Sequence, residues 1–154
     1  MAVHTMRTVV IAAASMLAVT AVLAQSDVLE QRTALMKTQG QCVYRDMGRM
    51  AKGDDPYNQA KVNECFAKLK ETTSKIPSVF PAGTKGANNP KSDYIVLDKL
   101  WDNKADFDAR VAKLRKDVDE AAAKANSEAG FKATYTTVRE DCNGCHDTYR
   151  KKKG

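Results

Sequence analysis

Beyond residue 25 the apolar positions recur at intervals of three, four and seven, the spacing that gathers them on one face of a helix. Val28, Leu29, Leu35, Met36, Val43, Met47 and Met50 form such a stripe between Ser26 and Lys52, with Ser26 or Asp27 as its cap. Gly53-Asp54-Asp55-Pro56 stops it. Ala60, Val62, Phe66, Leu69 and Ile76 mark a second helix, which ends before Pro77 because the residue ahead of a proline is driven out of the helical region. Residues 77–93 hold Pro77, Pro81, Gly83, Gly86, Asn88, Asn89 and Pro90, and this composition predicts a long polar loop. Tyr94 to Trp101 is expected to form a short helical turn. Ala105, Phe107, Val111, Leu114, Val118 and Ala121 define a third helix ending near Asn126. Phe131, Tyr135, Val138, Cys142, Cys145 and Tyr149 define a fourth that begins near Glu128. Tight turns join the first helix to the second and the third to the fourth. The pattern predicts an all-α fold, an antiparallel up-down-up-down four-helix bundle with its long loop between the second and third helices.

The first two dozen residues differ in kind. Arg7 is their only fixed charge, and Val9 to Leu23 is almost continuously apolar over 15 residues. A membrane-spanning helix needs about 20, whereas a short apolar run ending in the small residues Val22 and Ala24 is the profile of a cleaved signal peptide. Residues 1–24 are therefore expected to be removed, leaving 25–154 as one exported domain in the periplasm. The competing reading is an uncleaved anchor helix. No cysteine follows the run at once, which argues against a lipid anchor.

Composition changes the picture little. With 43% hydrophobic residues, 154 residues can bury one core, and 6% aromatic content with sparse Gly and Pro favours helix over sheet. Loss of the leader takes one arginine and no acid from a formal charge of +6, so the mature chain stays basic. Export and the lack of a basic stripe interleaved with aromatics argue against nucleic acid. An acidic protein partner or a membrane surface fits better.

Cys142-Asn143-Gly144-Cys145-His146 is the c-type haem attachment signature. Two thiols three residues apart add to the two vinyl groups of haem, and the adjacent imidazole lies under the macrocycle as an axial ligand. Other uses of the pair are weaker here. Zinc needs about four ligands, and a chain that has shed His4 keeps only one histidine. A thioredoxin-like redox pair needs a βαβ setting that this helical pattern lacks. An ordinary disulfide leaves His146 unexplained.

The opposite side of the iron is then a matter of elimination. With Met1, Met6 and Met16 in the leader, Met36, Met47 and Met50 remain, all on the first helix. In an up-down-up-down bundle the end of the fourth helix lies beside the start of the first. Met36 lies about nine residues in, roughly 14 Å at 1.5 Å per residue. Met47 and Met50 come eleven and fourteen residues later. Geometry thus leaves Met36 as the one methionine able to face His146, and either ligation or simple core filling accounts for it.

At this point the chain resembles the class II cytochromes c, four-helix proteins with the haem motif near the C terminus. The ending CNGCHDTYRKK from Cys142 to Lys152 and the position of Trp101 carry the resemblance. It implies one covalent haem c, with Arg32 near the haem propionates. In this family the residue four after that arginine is apolar in five-coordinate cytochromes c′ and methionine in low-spin cytochromes c-556. The string Arg32-Thr33-Ala34-Leu35-Met36 is similar to the second branch, although a shift of one residue would put Leu35 there instead. The resemblance implies His146/Met36 ligation and single-electron transfer, with Arg150 as a further propionate partner. It also implies a homodimer through the first two helices. The alternative is a five-coordinate binder of nitric oxide or carbon monoxide. An enzyme is not expected, because a peroxidase needs distal acid/base groups and no distal histidine remains.

The other cysteines, Cys42 and Cys65, centre on the Gly53–Pro56 turn, so an antiparallel hairpin sets them at similar heights. Either a disulfide or two buried thiols fits, and an oxidising compartment favours the disulfide. It would close a loop of about 24 residues and stabilise the fold by roughly 3 kcal/mol, provided the Cα atoms come within ~7 Å. The pair is not usual in the family it resembles. The Lys151–Lys153 tail either steers an acidic redox partner or is simply solvated.

Overall fold

The computed structural model describes residues 25–154; the expected signal peptide, 1–24, lies outside the described residues. Helix α1 covers 25–52. Its middle turn, Gln41–Asp46, is wound as a π-helix, and it resumes as α-helix over Met47–Lys52. Gly53 closes it at φ 83°, a left-handed conformation that a residue without Cβ takes without strain. Helix α2 is Gln59–Ser74, its first turn capped by the Asn58 side chain, which accepts from the Lys61 amide. The loop carries two single turns of 3₁₀ helix, Pro77–Val79 and Ala82–Thr84. Helix α3 is the short Lys99–Asp102, α4 is Lys104–Lys124 and α5 is Glu128–Tyr149.

The four long helices pack as the pattern predicts: α1 on α2, α2 on α4, α4 on α5, and α5 back on α1. The core is built from Val43, Met47 and Met50 of α1, Val62, Phe66 and Leu69 of α2, Phe107, Val111 and Val118 of α4, and Phe131 and Val138 of α5. Among the described residues no helix is long and apolar enough to cross a membrane.

Two expectations need correction. Tyr94–Val96 is a strand, not a helical turn; helix appears only at Lys99–Asp102. That strand, β1, pairs antiparallel with β2, Arg150–Lys152, in the register Tyr94 to Lys152 and Val96 to Arg150. The basic tail is therefore not simply solvated. Its backbone is held in a ribbon, and Lys153 donates from its ammonium to the carbonyls of Asn89 and Pro90.

The α4–α5 turn depends on close approach. Ser127 Oγ accepts from the Gly130 amide and caps α5. A Cβ on Gly130 would stand 2.1 Å from the Lys124 carbonyl oxygen, so the two backbones can meet only at glycine. Gly130→Ala is expected to destabilise the protein by about 1–3 kcal/mol, read from thermal or denaturant unfolding.

Candidate functional site

Near the start of α1 and the end of α5 the helices leave a cavity of about 560 Å³, within the ~300–1,000 Å³ usual for cofactor sites. Ile76, Phe80, Leu100, Phe107, Val111 and Leu114 form its apolar wall. One helical turn of α5 presents Cys142, Cys145 and His146 to it. From α1 comes Met36, half-buried against the core, whereas Leu35 is buried at 8% exposure and does not line the cavity. Met36 therefore shares the cavity with His146. Met47 and Met50 are core residues outside it.

The three motif residues share one chemical character, each held uncharged. His146 Nδ1 is buried and has no hydrogen-bond partner. Burial, with the Arg150 charge added, brings the imidazole down to about 4, so it stays neutral with a lone pair to offer. Burial also pushes the Cys142 thiol up to about 12 and raises Cys145. Two unionised thiols one helical turn apart, a neutral imidazole and an apolar hollow fit a covalently attached haem.

The motif helix is fixed from α4. Arg110 donates Nη1 to the Gly144 carbonyl at 3.1 Å and Nε to Asp106 at 2.7 Å. The Tyr149 hydroxyl donates to the same Asp106 oxygen at 2.5 Å. These hydrogen bonds, Tyr149 first, hold the Asp106 carboxyl below its ordinary range, and burial with the bond to Asp106 raises Tyr149 to about 12. Arg150 stacks on Tyr94, guanidinium carbon 4.1 Å from the ring centre, and both line the cavity.

Arg32 does something the sequence did not reveal. It is 5% exposed, and three of its five donors hold the wrapping loop: Nε to the Val79 carbonyl at 2.9 Å, Nη2 to Thr84 Oγ1 at 2.7 Å, and Nη1 to the Ala87 carbonyl at 3.4 Å. Its guanidinium also lies 4.4 Å from the Phe80 ring centre. Although it lines the cavity, its contacts are those of a loop clamp.

Gln39 and Asp141 were also missed. Gln39 is buried on the cavity wall with Nε2 unpartnered. Asp141 lies beside Cys142, with Lys113 at 2.5 Å and Oδ2 buried without a partner, and burial raises its carboxyl. Both are short-range polar residues whose spacing carries no signal.

Cys42 and Cys65 meet across α1 and α2, away from the cavity, as the hairpin predicts. Both are buried.

A family profile described as Cytochrome C' matches residues 27–150. Cytochrome c-555 of Bradyrhizobium diazoefficiens is 35% identical over 95% of this chain and 97% of its own. Cytochrome c-556 of Rhodopseudomonas palustris is 35% identical over 97% of this chain and 99% of its own. The solved structure of cytochrome c′ from Rhodopseudomonas palustris superposes with a TM-score of 0.73 at 34% identity, covering 83% of this chain and 98% of that one.

Arg32→Ala would leave the Val79 and Ala87 carbonyls and the Thr84 hydroxyl short of a donor. Replacing it is expected to destabilise the protein by about 1–3 kcal/mol, with amide hydrogen exchange accelerating over residues 79–87.

Proposed function

The chain belongs to the cytochrome c′ family, and from that premise we propose that it is an exported single-electron carrier whose iron is held between His146 and Met36. Its cofactor is haem c, which supplies a one-electron Fe(III)/Fe(II) couple when bound. Relatives bear the names of both c-556 and c′ proteins, so the residue facing His146 decides between electron transfer and gas binding.

One observation carries the choice: Met36 lines the cavity that holds His146, and Leu35 does not. Cys142 and Cys145 anchor the cofactor through thioether bonds. His146 offers its imidazole without having to lose a proton, because burial already keeps it neutral. Met36 offers a soft sulfur, which raises the potential relative to a histidine or oxygen ligand. The apolar wall from Ile76 to Leu114 would keep water from the cofactor and hold both ligand side chains in position.

Arg150, stacked on Tyr94 at the cavity, and the two uncommitted donors of Arg32 would neutralise propionates. Lys37 and Lys91 at the cavity, with Lys151 and Lys152 on β2, are exposed and would steer an acidic redox partner. A second copy is expected to pair through α1 and α2, and the leader at 1–24 directs the chain to the periplasm. Nothing in this mechanism requires a substrate.

The haem-loaded protein is expected to give a sharp low-spin spectrum in both redox states, with a thioether-to-iron charge-transfer band in the ferric form and little response to carbon monoxide. Met36→Leu is expected to turn it high-spin, open it to carbon monoxide and lower its potential. A parent protein that is already broad, high-spin and reactive with carbon monoxide would replace this reading with gas binding.

A further inference from the structure

Away from the haem cavity a second chemical cluster is assembled. The sulfurs of Cys42 and Cys65 and a carboxylate oxygen of Asp46 all lie within 4.8 Å of one another, and none of these residues lines the cavity. Cys42 and Asp46 come from the π-turn of α1, four residues apart, and Cys65 comes from the facing side of α2. The thiols are 2% and 1% exposed. Cys65 Sγ donates to Asp46 Oδ2 at 3.7 Å. Gln41 Nε2 donates to the other oxygen at 2.8 Å, and Lys61 Nζ stands 3.6 Å from Oδ2. The carboxylate is thereby held with one oxygen toward the Cys65 thiol.

We propose that Cys42 and Cys65 are a crosslinking pair, closed to a disulfide as the chain folds by exchange with an external disulfide, and that Asp46 is the base that takes the Cys65 proton. The Cys42 thiolate attacks the external disulfide. That S–S bond breaks, one of its sulfurs leaves as a thiolate with the electron pair, and a mixed disulfide forms on Cys42. Asp46 accepts the Cys65 proton, and the Cys65 sulfur attacks Cys42 Sγ. A bond forms between the two cysteines and the second external sulfur leaves. The protein loses two protons and two electrons, and the external disulfide becomes two thiols.

The order of events follows from the hydrogen bonding. The close contact between the two sulfurs holds Cys42 below its ordinary range and, with burial, lifts Cys65 above it. Cys65 is the thiol whose proton already points at the carboxylate, so it is the one the base serves, and Cys42 is left to make the first attack. Burial then seals the product, because an external thiol has no path to sulfurs this deep. The crosslink is a permanent clip on the α1/α2 hairpin, separate from Cys142 and Cys145, which bind haem on another helix. It rests on the export reading, since a reducing compartment would keep both thiols.

The test begins with haem-loaded protein from the exported fraction, denatured without reductant, titrated for thiols and mapped by mass spectrometry. The expected result is no free thiol and a linked pair of peptides carrying Cys42 and Cys65. Two free thiols in a chain that begins at residue 25, or zinc held by those thiolates, would overturn the proposal. A second arm unfolds and reduces the purified protein, then refolds it with excess glutathione disulfide. Asp46→Asn should slow ring closure at least ~tenfold, and Cys65→Ser should trap glutathione on Cys42. Closure as fast as in the parent would remove Asp46 as the base. If the chain keeps residues 1–24, export is wrong, and the refolding arm decides the pair, since it needs only the purified protein.

Discussion

Filling the hollow between the four helices is the constraint on which the rest of the structure depends. The hollow measures about 560 Å³, the size of a cofactor site, and its apolar wall gains burial only from a group that covers it. Side chains of this bundle do not close the gap: Phe80, Phe107 and Leu114 stop at its wall. A large flat apolar group would fill it, and covalent attachment through Cys142 and Cys145 would keep that group in place when the bundle breathes. The cofactor is core and redox centre together.

That constraint explains why the polar machinery clusters around the cavity. The wrapping loop lacks regular structure beyond two turns of 3₁₀ helix, so its carbonyls need donors from elsewhere. Arg32 supplies two, with a third to the Thr84 hydroxyl, and Trp101 Nε1 supplies another to the Pro81 carbonyl at 3.1 Å. On the opposite side the Arg110–Asp106–Tyr149 network ties the motif turn to α4. The β1–β2 ribbon closes the end by pairing the segment before α3 with the chain terminus. Each device joins residues distant in sequence, and Arg32, Arg110, Tyr149 and the ribbon all line the same hollow.

Distance in sequence also separates what was legible from what was not. The long helices were, because large apolar residues such as Phe66, Leu69, Val111 and Phe131 repeat at helical spacing and all proved buried. Alanine carried less information: Ala60 and Ala105 sat in the same periodic stripes yet are exposed, since a methyl group gains little from burial. The haem motif was legible because its chemistry is local, all within one turn of helix. The Arg32 clamp, the ribbon and Gln39 were not, because each depends on a partner that spacing cannot supply. A basic terminus reads as solvated whether or not a strand waits for it. The π-turn had no signature at all, as Gln41–Asp46 contains neither proline nor an interior glycine.

That turn divides the work of α1. Before it, Met36 and Gln39 face the haem cavity; after it, Met47 and Met50 fill the core. Within it, the Val43 carbonyl accepts the Tyr135 hydroxyl of α5 at 2.9 Å while Cys42 and Asp46 meet Cys65 of α2. A regular α-helix advances about 100° per residue, and the wider π-turn shifts that phase. Every residue after it is rotated relative to the residues before it. A single helix can then present Met36 to the cavity at one end and a thiol to its neighbour farther along. Straightening the turn would have to sacrifice one of these alignments. The functional end of the molecule and the thiol pair are therefore linked through the winding of one helix, although no residue belongs to both.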